Sequence, residues 1–356
     1  MHVAMGVDDH EPCLNRRGRL IYPGDVGCGH TRLLTASPSE PVVAPMSRRK
    51  ATFTHYLSYV VWHLVSAILW IMPRRTVVIL ADFLAFLLHR VTRIRRKEVY
   101  GNLQLALGDT HSPEEISRIA RDSYRNGVLT FLEFIRPHAL FWEVVGIFRG
   151  FDGWDQFEAM GDKPYIIVTG HMGNWESLGE IGIRKAGIPH FVAFMKPMHN
   201  PLVNDSIVKQ RMKIGLELIS TSAGSFKAAV TAAREKKILV FLADQDARRN
   251  GIFVDFFGTP ASTAEGAAMF AHRLNLPLLC TFSIRNNDAL RTLRIEIAPA
   301  IFPDPTTERD ADVLRLTQTH AKYLEDVVRR HPGSYFWLHR RWKTRPKNKR
   351  QKSVDE

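Results

Sequence analysis

A histidine and a glutamate stand five residues apart in His171-Met172-Gly173-Asn174-Trp175-Glu176, where an apolar strand gives way to a helix. The strand reads Tyr165-Ile166-Ile167-Val168-Thr169, short, β-branched and closed by Gly170. Asn174 suits the N-cap of a helix continuing through Leu178, Ile181 and Ile183 toward Gly187. Two helical residues five apart point about 140° away from each other, so His171 belongs to the turn. A Glu176 side chain in the first helical turn leans back toward the N-terminus and can reach the imidazole. The expected chemistry is that of a base oriented by an acid. His171 takes the proton of an attacking hydroxyl, while Glu176 fixes the ring tautomer and steadies the imidazolium. N–H groups at the helix start, with Gly173 permitting close approach, serve a tetrahedral oxyanion. No serine or cysteine nucleophile stands in this block, which argues for direct transfer. Taken alone, the pair also has a structural reading, since a strand-end histidine is commonly just satisfied and the helix dipole favours a glutamate in a first turn.

The block resembles the H-x-x-x-x-D/E motif of glycerolipid and lipid A acyltransferases, in the form of the late, lauroyl- or myristoyl-type lipid A branch. Three further segments agree in order. Lys196-Pro197-Met198-His199-Asn200-Pro201 leading to Gln210-Arg211 is similar to the family's second block, which usually begins with Arg where this chain has Lys196. Phe241-Leu242-Ala243-Asp244-Gln245-Asp246, followed by Gly251 to Gly258, resembles the third. Tyr335-Phe336-Trp337-Leu338-His339-Arg340-Arg341-Trp342-Lys343 is similar to the C-terminal signature. The likeness runs from roughly residue 54 to 346, and four ordered blocks are far more specific than one. It implies an O-acyltransferase that moves a fatty acyl chain from acyl carrier protein or CoA thioester to a lipid hydroxyl, with a lipid A precursor as first choice of acceptor. A lysophospholipid, ornithine lipid or glycolipid is the alternative acceptor, and a membrane-surface binding protein without turnover is the alternative class. No cofactor beyond the acyl donor is expected.

Around His171 and Glu176 the expected substrate-binding set is Gly173, Asn174, Lys196, Asn200, Arg211, Asp244, Gln245, Asp246, Arg248, Phe257, Gly258 and Thr263. Arg211, Lys196 and Arg248-Arg249 suit the phosphates of a phosphorylated lipid or of phosphopantetheine, although Lys196 offers a point charge where Arg grips in two places. Asp244 and Asp246 follow a buried strand and either tether Arg211 or position the acceptor hydroxyl. As a carboxylate pair they also admit metal binding or glycoside hydrolysis, neither of which has supporting residues. Phe253, Phe256 and Phe257 read as core more than as an acyl channel. Gly258 ends a turn, Thr263 caps the next helix and His272 is structural.

These residues need a large scaffold, and 356 residues with 45% hydrophobic content supply one. Cys13, Cys28 and Cys280 form neither a disulfide framework nor zinc spacing, which points to a reducing compartment. The net charge of +13 is concentrated: eight basic residues lie between Arg340 and Lys352, and others at Arg48-Arg49-Lys50, Arg74-Arg75 and Arg93 to Lys97. Such runs favour anionic surfaces. No RNA-binding motif accompanies them, so nucleic acid is not expected. Two apolar segments, Tyr56 to Met72 and Val77 to Leu88, are bordered by these clusters and carry interfacial Tyr and Trp. They read as a membrane anchor, the first near the lower limit for spanning, with buried core helices as the alternative. The expected location is the inner membrane with the active site on its cytoplasmic side. Oligomeric state is not legible.

Residues 1–46 lack periodicity and read as a disordered leader, with Met46-Ser47-Arg48-Arg49-Lys50 resembling a natural start. Residues 47–98 form the membrane-anchoring helical segment, 99–345 the α/β acyltransferase domain and 346–356 a basic tail. Within the domain a helix opens at Ser112-Pro113-Glu114-Glu115 and stops at Arg136-Pro137. Strands at 165–169, 190–194, 238–242, 278–284 and 293–297 then alternate with helices at 204–212, 222–235, 263–274 and 310–330. The fold class is α/β, a mixed sheet flanked by helices of the glycerolipid acyltransferase kind, with sites at the C-terminal ends of strands.

Overall fold

The computed structural model describes residues 50–136, 147–161, 163–188, 190–221 and 225–346, besides a two-residue antiparallel pairing of Cys13–Leu14 with Leu20–Ile21. The rest of the expected leader and the tail beyond 346 lie outside the described residues.

Four helices come first: α1 (Phe53–Ile71), α2 (Arg74–Phe86), α3 (Arg96–Leu107) and α4 (Pro113–Ile135). Pro73 separates α1 from α2, its missing N–H and fixed φ suiting a helix start. A five-residue π-helical turn, Leu87–Val91, follows α2. The start of α4 is a reciprocal cap: Ser112 Oγ accepts from Glu115 N at 3.3 Å, while Ser112 N donates to Glu115 Oε2 at 2.8 Å. The expected bounds of this helix are met to the residue.

The α/β body then runs β1 (Phe148–Asp152), α5 (Trp154–Glu158), β2 (Ile166–Thr169), α6 (Ser177–Lys185), β3 (Phe191–Met195), α7 (Pro201–Lys213), β4 (Leu216–Ser220), α8 (Ser225–Arg234) and β5 (Ile238–Leu242). A separate hairpin, β6 (Ile252–Phe256) with β7 (Thr259–Thr263), leads to α9 (Gly266–Leu274), β8 (Leu278–Arg285), β9 (Leu293–Ile297) and α10 (Arg309–Arg330). Seven strands make one sheet in the order β1-β9-β8-β2-β5-β3-β4, parallel except for the β8–β9 hairpin. This is the expected mixed α/β sheet. Every residue of β2 is buried, as a central parallel strand covered by helices on both faces requires. Sequence periodicity did not reveal α3, β1, α5, β4 or the β6–β7 hairpin. The hairpin turn places Phe257 and Gly258 both at positive φ, 56° and 70°, the geometry of a two-residue hairpin loop.

One buried cluster packs α3, α4, α9 and α10 against one side of the sheet, and a second packs α6 and α7 against Ile167, Leu279 and Ile295. A third joins the first two helices to the body, with Leu69 of α1 and Val77, Val78 and Ala81 of α2 against Leu129, Leu132 and Ile135 of α4. The described part of the expected anchoring segment, residues 50–98, is therefore docked on the body through a shared core. Its outward side stays apolar and open. Leu57, Val61, Leu64 and Ile68 of α1, spaced 4, 3 and 4 apart, are each half or more exposed. On α1, Tyr59, Trp62, Ser66 and Leu69 turn inward, where Trp62 meets Phe134 edge-on at 6.1 Å and Ser66 Oγ donates to Ile135 O at 2.8 Å.

Candidate active site

β2 ends at Thr169, and the chain turns so that His171 sits at the C-terminal edge of the sheet, on its central strand. The carboxylate facing its ring comes from the end of neighbouring β5. Asp244 Oδ1 lies 2.6 Å from His171 Nδ1, and Asp244 Oδ2 accepts the His171 backbone N–H at 2.9 Å. This bidentate hold places the Nδ1 proton against Asp244 and turns Nε2 outward, with the Gln245 side-chain amide 3.2 Å from it. Burial alone raises the Asp244 carboxyl. The adjacent His171, by charge and hydrogen bond, and then His339 outweigh it and hold Asp244 well below the usual carboxylate range. Trp175 and His339 press edge-on against the His171 ring at centroid distances of 4.8 and 4.6 Å.

Glu176 is elsewhere. Its Oε2 accepts from Arg211 NH2 of α7 at 2.6 Å. The expectation that Glu176 orients His171 is thus corrected: Asp244 holds the ring, and Glu176 holds Arg211. Glu176, with helical φ and ψ of −70° and −29° just ahead of Ser177, is drawn instead to the guanidinium that α7 presents beside it. Arg211 also reaches Met195 Sδ at 3.3 Å and lies over the Phe134 ring.

The turn itself is braced from behind. Gly173 has φ of 51°, and a Cβ there would meet Ser283 O at 2.5 Å, so glycine is needed for packing against β8 rather than for approach to a substrate. Its N–H donates to Ser334 O at 2.9 Å, and Asn174 N donates to Ser283 Oγ at 3.2 Å. These two amides are therefore committed and do not serve an oxyanion. Asn174 caps α6 through Ser177 N at 3.1 Å and donates to buried Glu133 at 2.7 Å. Glu133 also receives Arg285 at 2.6 and 3.0 Å and Arg74 NH1 at 2.5 Å, so one buried carboxylate serves two guanidinium groups. Thr130 Oγ1 completes the brace on Gly173 O at 2.8 Å.

A cavity of about 560 Å³ opens at His171. Its mouth carries Glu176, Lys196, Arg211 and Gln245, and its interior runs between α6 and the sheet to Phe151, Trp154, Phe157, Ile188 and Ile297. Three expected substrate-binding residues, Lys196, Arg211 and Gln245, line it. The others are used differently. Asn200 caps α7 and clamps α1 through His55 O at 3.0 Å. Asp246 accepts from Thr344 at 3.0 Å, and Arg248 is exposed outside the cavity. Phe257 is buried beneath Arg329, Gly258 is in the hairpin turn, and Thr263 lies in β7, where it accepts from Arg341 at 2.6 Å instead of capping α9. His272 pairs with Asp312 at 2.8 Å, a structural contact as expected.

The C-terminal signature lies under the site. Phe336 N donates to His171 O at 3.0 Å, and Tyr335 bridges Met172. Buried His339 lies 3.8 Å from Asp244, its ring pushed down to about 4 by burial and by its cationic neighbours despite Asp244. His171, Asp244 and His339 bring three potential metal ligands within 4.8 Å of one another. Both Asp244 oxygens already accept hydrogen bonds from His171, so this geometry is that of a hydrogen-bonded pair with a packed third ring.

The arrangement joins an imidazole on a held tautomer, a cationic rim and an apolar interior. Residues 46–344 match the family model of the bacterial lipid A biosynthesis acyltransferases. The chain is 25% identical to the lipid A biosynthesis palmitoleoyltransferase of Escherichia coli (strain K12), over 85% of this chain and 97% of that protein. It is 23% identical to the lipid A biosynthesis lauroyltransferase of the same strain, over 72% and 82%. It is also 25% identical to a phosphatidylinositol mannoside acyltransferase of Mycobacterium tuberculosis (strain CDC 1551 / Oshkosh), over 55% and 60%. A match that spans the His171 turn, the cavity and the C-terminal signature together makes this chain a member of the bacterial lipid A biosynthesis acyltransferase family, and an acyltransferase.

Proposed function

We propose that the protein transfers a fatty acyl chain from a thioester, acyl carrier protein or CoA, to a hydroxyl of a lipid A precursor at the membrane surface. The observation that carries this reading is one cavity with His171 at its polar mouth and aromatic and aliphatic side chains at its floor. Its volume lies within the range of about 300–1,000 Å³ usual for ligand sites. The acyl chain occupies the apolar interior and the thioester carbonyl lies at the mouth. His171 Nε2 takes the acceptor hydroxyl's proton as its oxygen bonds to the carbonyl carbon, and Asp244 steadies the resulting imidazolium. The C–S bond then breaks, the leaving sulfur takes the proton from Nε2, and the ester and free thiol depart with His171 neutral again. Gln245 and the cations Lys196 and Arg211 supply the positive potential for the tetrahedral oxyanion and for phosphates on donor or acceptor.

The exposed stripe of α1 faces the bilayer in this reading. Asn200 and His199, at the start of α7, touch His55 at the N-terminal end of that helix and tie its inner face to the segment that follows Lys196 of the cavity lining. This supports a peripheral mode, with one face of α1 on the body and the other in the interface. The same reading puts the site on the cytoplasmic side of the inner membrane, where the proposed soluble donor is found and where a free, buried Cys280 suits a reducing compartment.

A glycosylated phospholipid acceptor is the second reading, favoured by the similarity to phosphatidylinositol mannoside acyltransferases. Incubation of purified protein with labelled acyl carrier protein or CoA thioesters and each acceptor, followed by mass spectrometry of the lipid, decides between them. The expected result is acylated lipid A precursor that is absent with His171→Ala. Acylation of the mannoside alone would transfer the assignment to the second reading, and thioester hydrolysis without lipid product would remove both.

A further inference from the structure

Two smaller cavities, of about 360 and 200 Å³, share no residue with the catalytic cavity. They flank a single ion pair between α2 and α4. Arg125 Nε lies 2.7 Å and NH2 2.5 Å from the two Asp82 oxygens, and Arg125 also lies 3.5 Å from Asp122. Both carboxylates that line the groove are thus committed to one guanidinium. Arg118 and Arg291 line the larger cavity, and Arg90 and Arg121 the smaller. Arg285 also lines the larger cavity but shares the Glu133 carboxylate with Arg74 and is left out of the count. Five guanidinium groups, counting Arg125, therefore face two carboxylates.

Arg291 is half-buried and donates to the Asn287 side-chain carbonyl, with no carboxylate in ion-pair range among the described residues. Burial and then the charge of Arg125 disfavour its protonated form. Arg121 donates only to Ser117 Oγ, at 3.1 Å, among the described residues. A concave groove with this surplus of guanidinium is built for phosphate, whose oxygens match the arginine fork. Its rim is apolar. Ile79, Phe83 and Phe86 of α2 are 68%, 57% and 56% exposed, and Phe86 lines the smaller cavity.

We infer that this groove holds the phosphate headgroup of an anionic membrane phospholipid, with its acyl chains lying along Ile79, Phe83 and Phe86. The inference rests on the reading of α1 and α2 as membrane-facing. Free phosphate satisfies the guanidinium groups equally well, but it leaves the apolar rim in water, whereas a lipid covers both.

The test uses the full chain and three probes: dihexanoyl-phosphatidylglycerol, inorganic phosphate, and vesicles of phosphatidylcholine with or without phosphatidylglycerol. Calorimetric titration should show saturable binding of the short-chain lipid, weaker at least tenfold in R118Q/R291Q and intermediate in R291K. Inorganic phosphate should bind much more weakly than the lipid. Unchanged melting temperature of the ligand-free variants shows that they fold, and exposed Arg118→Gln alone should already weaken the lipid. Equal lipid binding by wild type and folded double variant overturns the site. Phosphate binding as tight as the lipid overturns the lipid assignment. The membrane-facing reading is read separately: it fails if wild type does not float with vesicles of either composition, while the short-chain titration still reports on the groove.

Discussion

Asp244→Asn and Glu176→Gln separate two roles that sequence spacing merged. The amide put in place by Asp244→Asn would still accept one hydrogen bond from His171 but would carry no charge to steady an imidazolium, so turnover should fall about 10²- to 10⁴-fold with KM little changed. Glu176→Gln removes the charge paired with Arg211 and leaves the ring hold intact, so its main effect should be a raised KM. Steady-state kinetics on one thioester and one acceptor check both, and the reverse pattern would restore Glu176 as the ring's partner. His171 was legible because its type, its Gly-rich turn and its place after an apolar strand all lie within a dozen residues. The partnership with Asp244 joins positions 73 residues apart through the adjacency of two parallel strands. Strand order leaves no local signal. His339 and Phe336 are further still, and only the resemblance of the C-terminal block drew attention to that segment. Asn200 and Phe257 fall in the blocks of resemblance yet do structural work, so motif membership marked the neighbourhood without marking the contact.

At the scale of elements, the His171 turn is fixed by helices the motif does not include. Glu133 in α4 joins Arg74 at the start of α2, Arg285 at the end of β8 and Asn174 in the turn. Glu133→Ala leaves two buried guanidinium groups without their carboxylate, so the protein should lose about 3–5 kcal/mol on urea unfolding. Asn174→Ala should cost less, of order 1–2 kcal/mol for a lost cap and hydrogen bond, while lowering turnover because it loosens the turn. A large stability loss with Glu133→Ala and none with a charge-conserving Glu133→Asp would point to charge rather than geometry as the binding force. The outward stripe of α1 makes the opposite prediction. Leu64→Glu with Ile68→Glu changes residues that are 59% and 58% exposed, so melting should barely move. Burying such side chains is worth about 1.5–3 kcal/mol each, so membrane pelleting should fall sharply. If the double variant unfolds instead, the stripe is core to a contact within the protein. The apolar run was plain in the sequence, but its division into a docked and an open face follows from where α4 and α7 lie. The cavity floor was not legible either, because α5 is only five residues and β1 alternates without a clear apolar face.

For the molecule as a whole, acid should unfold the protein over a window set by histidines that fold neutral. His89, His320 and His339 are each lowered to about 4, burial being the first cause in every case. Arginines add to it: Arg96, Arg90 and Arg121 around His89, and Arg341 near both others, with Asp244 opposing at His339. In the unfolded chain the same rings protonate near 6.5. Between roughly pH 6.5 and 4 the unfolded state therefore binds more protons than the native state, and stability rises with pH across that interval. The contribution is fully present above 6.5 and is lost as pH falls toward 4. Asp244, held low, acts with the same sign further down, below the ordinary carboxylate range. Unfolding free energies from urea titrations at pH 7.5, 6 and 4.5 should drop progressively, by about several kcal/mol in total over the three rings. His320 is the ring to remove, since it lies outside the catalytic turn and its Nε2 has no hydrogen-bond partner among the described residues. His320→Leu should therefore flatten the curve by that ring's share while leaving turnover at pH 7.5 unchanged. A flat dependence in the wild type, or an unaltered one in the variant, would mean that these rings take up protons in the folded state as readily as in the unfolded chain.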